Sequence, residues 1–496
     1  MFKKMSVDQK NTDTGFFGHP KGLSTLFFTE LWERFSYYGM RAILIYYMYY
    51  SISKGGLGLD ESLSIALMSI YGSLIYMTGV LGGWLADRVF GTRKAVFYGG
   101  ILIMVGHVVL SLPNAGVTGL FSSMVFLAIG TGLLKPNVSS MIGDLYSPED
   151  ARRAGGFSIF YMGINLGGFL APYVTGSLMK ISFHVGFLIA AVGMALGLIF
   201  FVITQNKFLG DAGKNVPNPI AKEERGKVTL LFGSILGGLL IIALVGYLTG
   251  TLIVGNVINF ISFVAILLPI LYFVVMLRSK KTNTEERSRL LAYIPLFLTS
   301  VMFWMIQEQG SSVLAVFANK RVSQTLFNFE ISPAFYQSFN PLFIIFLSPV
   351  FALIWTKLGK RQPSTPRKFS LGLLFAGSSF LIMMIPGLIG GTAEHTASPI
   401  WLILSFLLVT VGELCLSPVG LGVTTQLAPR AFAAQTMGVW FLSNAMAQGI
   451  NAQIGQIFTP DIEVQYFGTL GIIAVIFGLI MFMVTPQLLK LMKGVK

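Results

Sequence analysis

Glu30, Glu33, Arg34 and Arg41 lie in a run from Gly22 to Tyr50 that is otherwise apolar and aromatic. As a helix that run would be roughly 40 Å long, enough to cross a bilayer. Four charges at the centre of a spanning helix would cost on the order of 10 kcal/mol on an insertion scale, so they must face protein or water. Positions 30, 33, 34, 37, 38 and 41 share one helical face at a period of 3.6. Such a face can hold ions of opposite sign, bind a charged solute or pass a proton. A soluble amphipathic helix would show the same pattern, and the rest of the chain decides between the two.

Composition decides for the membrane. The 496 residues are 54% hydrophobic and 11% charged, with 55 Gly and a mean hydropathy of +0.73. Soluble domains carry about 25% charge. The expected fold class is an all-α polytopic membrane protein. A single cysteine, Cys415, excludes internal disulfides and a Cys-based metal site. Residues 1–21 hold no apolar run of signal-peptide type, so internal spans are expected to direct insertion.

Hydropathy predicts fourteen spans, at 22–50, 62–86, 94–112, 118–143, 154–178, 184–204, 228–248, 256–277, 290–317, 334–356, 369–388, 399–427, 432–457 and 465–486. The predicted organisation is a cytoplasmic N-terminus (1–21), a six-helix bundle (22–204), a linker (205–227), an extra helix pair (228–277), a second linker (278–289), a second six-helix bundle (290–486) and a cytoplasmic C-terminus (487–496). The polar stretch 205–227, with Pro217 and Pro219, reads as a mobile connection. Of the 35 Lys and Arg, 28 fall in segments on one side of this topology, 4 on the other, and Arg34, Arg41 and Lys135 within spans. That asymmetry orients the chain with both termini in the cytoplasm. It also accounts for the net charge of +14 without nucleic acid. Two six-span halves suit a secondary transporter with its substrate site between them.

Seven charged residues fall well inside spans: Glu30, Glu33, Arg34, Arg41, Lys135, Glu308 and Glu413. Arg41 and Lys135 belong to the first half, Glu308 and Glu413 to the second. Opposite charges on opposite halves suit a gate in which Arg41–Glu308 and Lys135–Glu413 pair on closure and substrate or a proton competes for them. A static ion-pair network that only fixes packing is the plainer alternative, weakened because buried pairs stabilise poorly. Gly130-Thr131-Gly132 before Lys135-Pro136, and Ser417-Pro418 after Glu413, suggest hinges, with close helix packing the competing use of glycine.

These motifs resemble a known family. Glu30-x-x-Glu33-Arg34-Phe35-x-Tyr37-Tyr38-Gly39 is similar to the ExxER signature of the proton-dependent oligopeptide transporters, within the major facilitator superfamily. Phe157 to Gly167 resembles that family's second signature, and Gly82 to Lys94 its Gly/Asp/Arg loop. The resemblance extends through Trp304-x-x-Gln307-Glu308-Gln309-Gly310, Asn340-Pro341, Gly412 to Pro418 and Trp440-x-x-Ser443-Asn444. It implies a major facilitator fold with two extra helices, and a proton-coupled symporter that imports di- and tripeptides by alternating access across the cell membrane, working as a monomer. By the same resemblance Arg41 and Lys135 would hold the peptide carboxylate, with Tyr38 and Tyr76 nearby. Glu413 would take the amino terminus with Asn165 and Asn340, and Trp304, Trp440 and Ser443 would line side-chain pockets. Glu308 and the Glu30/Glu33/Arg34 group would carry the proton.

None of the four histidines (His19, His107, His184 and His395) lies in the second span, where animal members carry a functional one. The proton route is left to carboxylates, and no cofactor or metal is expected. A carrier of nitrate, an organic acid or a peptide-like drug is the alternative, but Glu413 suits no simple anion. An enzyme lacks support: there is no Ser-His-Asp set in a credible order, no His-rich helix and no phosphate loop.

Overall fold

The computed structural model describes residues 13–147, 149–326 and 329–495. Most of the expected N-terminal segment, residues 1–12, and Lys496 lie outside the described residues. The first bundle comprises α1 (Gly22–Tyr49), α2 (Glu61–Leu85), α3 (Thr92–Ser111), α4 (Gly116–Asp144), α5 (Arg153–Leu178) and α6 (Phe183–Phe208). Two further helices follow, α7 (Lys222–Leu248) and α8 (Val254–Arg278). The second bundle holds α9 (Thr284–Gln307) with its continuation α10 (Val313–Lys320), α11 (Phe339–Leu358), α12 (Thr365–Ile382) with the short α13 (Ile385–Gly390), α14 (Pro399–Leu427), α15 (Ala433–Ile454) and α16 (Glu463–Leu491). A small antiparallel hairpin, β1 (Thr325–Leu326) with β2 (Phe329–Glu330), sits between α10 and α11.

Twelve of the fourteen long helical segments among the described residues are apolar enough to cross a membrane on composition alone. The other two, α1 and α15, are the polar ones. Four charges interrupt α1, and Ser443, Asn444, Gln448 and Asn451 punctuate α15. Both are enclosed by neighbours: Glu30, Glu33, Arg34, Gln448 and Asn451 are all buried. Polar groups survive at membrane depth because protein, not lipid, surrounds them.

Within the first bundle α1 packs on α5 and α6, and α4 on α2 and α3. The α2–α4 crossing is close: a Cβ on Gly82 would fall 2.0 Å from the carbonyl oxygen of Gly132, and Thr78 Oγ1 donates to the Ala128 carbonyl at 2.7 Å. Gly130 meets Gly99 of α3 in the same way. These α4 glycines therefore serve close packing, which brings Lys135 beside α2. In the second bundle α12 packs on α14 and α16, and α9 on α15. The bundles meet along two seams, α2 with α15 and α5 with α11.

Sequence patterning predicts one continuous span over 290–317, but the helix breaks at its centre. Glu308–Ser311 is a 3₁₀ turn, and Ser312 leaves helical geometry (φ −121°, ψ −89°). The freed Met305 carbonyl accepts from Gln309 Nε2 and Asn451 Nδ2, both at 3.0 Å. Gln309 Oε1 in turn accepts from Tyr466 at 2.8 Å. Side-chain amides thus replace the missing backbone partners.

The 205–227 connection is bound rather than loose. Arg93 donates to the carbonyls of Gly210 (2.9 Å) and Ala212 (2.8 and 3.2 Å). The Asn218 and Ile220 amides donate to the Asp87 and Arg88 carbonyls, and Arg88 pairs with Glu224. The Gly/Asp/Arg loop between α2 and α3 therefore grips the linker. Gly91 serves there at φ +78°, a left-handed geometry that favours glycine.

Bonds between the bundles concentrate around the centre and on the face opposite the Lys/Arg-rich one. Tyr50 donates to Asn319 Oδ1 and Asn319 Nδ2 to Tyr49, both at 2.7 Å. Lys320 pairs with Glu61, and Lys180 with Glu330 at 2.5 Å. Behind them Arg321 is sealed, with Nε 2.6 Å and Nη2 2.9 Å from the Glu463 carboxylate.

Candidate functional site

Glu30, Glu33, Arg34, Tyr37, Tyr38 and Arg41 project from α1 on the face that its 3.6-residue period requires. Arg34 lies between two carboxylates: Nη2 is 2.7 Å from Glu33 Oε1, and Nε is 3.2 Å from Glu30 Oε1. Glu30 Oε2 is buried with no hydrogen-bond partner among the described residues. Two carboxylates against one guanidinium leave a place for one more positive charge. The guanidinium carbon lies 5.1 Å from the Tyr37 ring centroid and 5.9 Å from that of Tyr38.

Where the α9 helix breaks, the Glu308 carboxylate enters the space between the bundles. It pairs with Arg41, accepts from the Tyr76 hydroxyl at 3.1 Å and accepts from Gln448 Nε2 at 2.9 Å. With the Asn444 amide turned to satisfy both neighbours, its nitrogen donates to Glu308 at 3.3 Å and its oxygen accepts from Trp304 Nε1 at 3.2 Å. The Glu308 side chain is 4% exposed, that of Arg41 15%. Arg41 and Tyr76 come from the first bundle, Gln448 and Asn444 from the second, so this one carboxylate joins the halves.

A central cavity of about 230 Å³ adjoins this cluster. Of the residues expected at a site, Glu30, Arg34, Tyr38, Arg41, Tyr76, Lys135, Asn165, Trp304, Glu308, Asn340 and Glu413 line it. Glu33 lies behind, fully buried against Arg34. Lys135 reaches across from α4, its Nζ 4.9 Å from the Tyr76 ring centroid. Glu413, on α14, accepts from Asn340 Nδ2 at 3.0 Å, and the same amide donates to Thr410 Oγ1 at 3.0 Å. Asn165 Nδ2 donates to the Tyr161 carbonyl at 2.8 Å.

Three expectations differ from what the structure places here. Lys135 and Glu413 do not form an ion pair: one rests over Tyr76, the other on Asn340, each bound on its own wall of the cavity. Trp440 is turned away from the cavity. Its ring occupies the space a side chain on Gly420 would fill and meets Phe369 edge-on at 6.3 Å. Ser443 bonds to Ser300 Oγ at 3.0 Å, within the α9–α15 contact. Gly420 permits this, since only glycine lets the indole sink between α14 and α15.

Tyr161, Gln307, Gln337 and Phe406 also line the cavity, and Gln448 holds Glu308; sequence reasoning did not single them out. A signal existed for Gln448, since an amide inside a predicted span needs partners. Tyr161 lies inside the Phe157 to Gly167 motif. His107 is buried with both ring nitrogens lacking a hydrogen-bond partner among the described residues, apart from the cavity. No group of metal-ligating side chains occurs among the described residues.

Residues 93–473 match the sequence profile of the POT family. An uncharacterized transporter, YclF, of Bacillus subtilis is 55% identical over 491 residues, covering 99% of this chain and 98% of its own. A di-/tripeptide transporter of Lactococcus lactis subsp. cremoris is 46% identical over 498 residues, covering 98% of this chain and 99% of its own. A crystal structure of a mutant of the peptide transporter POT in complex with alafosfalin superposes with a TM-score of 0.93 at 58% identity, covering all of both chains. Two six-helix bundles, an inserted helix pair and a charged cavity between the bundles are thus the architecture of a multi-pass membrane protein that belongs to the POT family.

Proposed function

We propose that this chain is a proton-coupled symporter that imports di- and tripeptides by alternating access. The observation that carries the reading is the Glu308 carboxylate, held by Arg41 from one bundle and by Gln448 from the other at the edge of the cavity. Protonation of Glu308 removes the charge that binds Arg41, and a peptide carboxylate then replaces it on Arg41 and Lys135. Two cations in a cavity shielded from bulk water outcompete water for one anion. Glu413, presented by Asn340, takes the peptide ammonium on the opposite wall. Trp304, Tyr161 and Phe406 supply apolar surface between these poles for side chains of differing size.

Glu30, Glu33 and Arg34 form the second station of the proton path, with the unpartnered Glu30 oxygen as its acceptor. Each proton that crosses contributes about 2.3 kcal/mol per 100 mV, roughly a 50-fold concentration ratio. No cofactor is needed. The bundles 22–204 and 290–486 are the moving bodies, working within a monomer. We place the Lys/Arg-rich face and both termini in the cytoplasm of a cell-membrane protein, following the charge asymmetry. The bonds that concentrate on the opposite face then close the outer side.

The test is uptake of labelled dialanine into proteoliposomes under an inward proton gradient, with Glu308→Gln beside the wild type. Concentrative uptake that the substitution abolishes while exchange persists is the expected result. Absence of gradient-driven uptake of any di- or tripeptide by the wild type overturns the reading.

A further inference from the structure

We infer that the α7–α8 pair is a compliant joint whose two legs travel with different bundles, α7 with the first and α8 with the second. This rests on the alternating-access reading above. The bonded attachments fall on different bundles. The base of α7 is tied to the first bundle by the Arg88–Glu224 ion pair, by the Asn218 and Ile220 amides on the α2–α3 loop, and by Trp84 against Phe232 at 5.0 Å. Beyond that base α7 has no buried residue, and a Cβ added at Gly233, Gly237 or Gly238 would meet nothing within 4 Å.

The second leg is seated differently. One face of α8, Ile258, Ser262, Ala265, Pro269, Phe273 and Met276, is buried. Gln453 Nε2 of α15 donates to Ser262 Oγ at 3.0 Å, and Thr436 Oγ1 donates to Met276 Sδ at 3.5 Å. A Cβ on Gly449 would lie 3.0 Å from that of Ala265. The Phe273 ring meets Tyr293 of α9 at a tilt (5.8 Å) and Phe297 edge-on (5.3 Å). Toward the first bundle α8 also lies against α2, yet no side-chain hydrogen bond joins the two among the described residues. Hydrogen-bonded packing on α15, with ring contacts on α9, against unbonded contact on α2 makes α8 a passenger of the second bundle.

The two legs are bonded to each other only at their tip among the described residues. Thr251 and Leu252 amides donate to the Gly246 carbonyl at 2.8 and 2.9 Å, Asn256 Nδ2 donates to the Thr251 carbonyl at 2.8 Å, and Gly250 takes φ +69°. A hairpin joined at the tip and anchored at its bases to separate bodies opens and closes as those bodies rock. Because no residue of α7 is buried, its swing forfeits little protein packing.

Distances between spin labels test this. Cys415 is buried and is the chain's one cysteine, so labels go to cysteines introduced at exposed positions in three separate variants. Glu149→Cys with Lys360→Cys reports the rocking of the bundles. Lys222→Cys with Lys280→Cys spans the bases of the two legs, and Lys280→Cys with Lys490→Cys ties α8 to the second bundle. Each is measured in proteoliposomes in acidic and neutral buffer, with and without dialanine. The expected result is that the first two distances shift together by comparable amounts while the third stays constant. A shift in the first with a constant second distance overturns the joint and leaves alternating access standing. A static first distance overturns both.

Discussion

Arg41 on α1 and Glu308 at the break after α9 form an ion pair across the boundary between the bundles, shielded on both sides. The second bundle adds Gln448 and the first adds Tyr76, so the carboxylate keeps partners whichever half moves. Removing one member strands the other as an uncompensated buried charge, at a cost of about 3–5 kcal/mol. Arg41→Ala is therefore expected to lower thermal stability in detergent strongly. Arg41→Ala combined with Glu308→Gln is expected to regain most of that loss without regaining gradient-driven uptake. Additive losses in a double-mutant cycle would show that the two do not interact.

Lys135 and Glu413 line the same cavity on opposite walls without pairing, which under the proposed function sets them to hold opposite ends of a peptide. Each is expected to contribute one charge-assisted contact of about 1.5–3 kcal/mol, a factor of roughly 10 to 150 in affinity. Lys135→Ala should weaken dialanine binding by such a factor and leave binding of a peptide amide nearly unchanged. Glu413→Gln should weaken free dipeptides and spare N-acetylated ones. Calorimetric titration of the four combinations separates the two ends.

Trp304 and Trp440 make a contrasting pair. Trp440 fills the space over Gly420, so Trp440→Ala is expected to cost about 3–5 kcal/mol of stability through the cavity it leaves, with a small change in substrate affinity. Trp304→Ala should do the reverse, altering preference among peptide side chains with a modest loss of melting temperature. A thermal-shift series beside competition uptake distinguishes them.

Asp60 caps α2 outside the membrane. The Ser62 hydroxyl, then the Leu63 amide, hold its carboxyl below the usual carboxylate range. A depressed folded value contributes stability that is present above the unfolded value of about 3.9 and fades as pH falls through the folded one. Asp60→Ala should cost about 1 kcal/mol at neutral pH. The gap from wild type should narrow in strong acid, as pH-dependent melting would record.

Much of the site was legible because a charge in an apolar span must face protein. Period and polarity alone set Glu30, Arg34, Arg41, Lys135, Glu308 and Glu413 toward the interior, and the structure gathers all six at one cavity. The same argument yields less for uncharged polar residues. On α15, Ser443, Asn444, Gln448 and Asn451 point to several neighbours, and a helix enclosed on most sides offers no apolar stripe to say which of them meets the cavity.

What the sequence by itself determined is the twelve segments apolar enough to cross a membrane, the uneven spread of Lys and Arg along the chain and the short set of ions that lipid would reject, since each follows from the cost of placing a residue in hydrocarbon. The tertiary structure decided what depends on the distance between remote segments. It turned Trp440 onto Gly420, broke the helix at Glu308 where the Asn451 amide of α15 and that of Gln309 satisfy the backbone, and bound the linker to Arg93. It also kept Lys135 and Glu413 on opposite walls. Burial cost is a property of one residue in one solvent, whereas pairing requires two chain segments to meet, and only packing sets where they do.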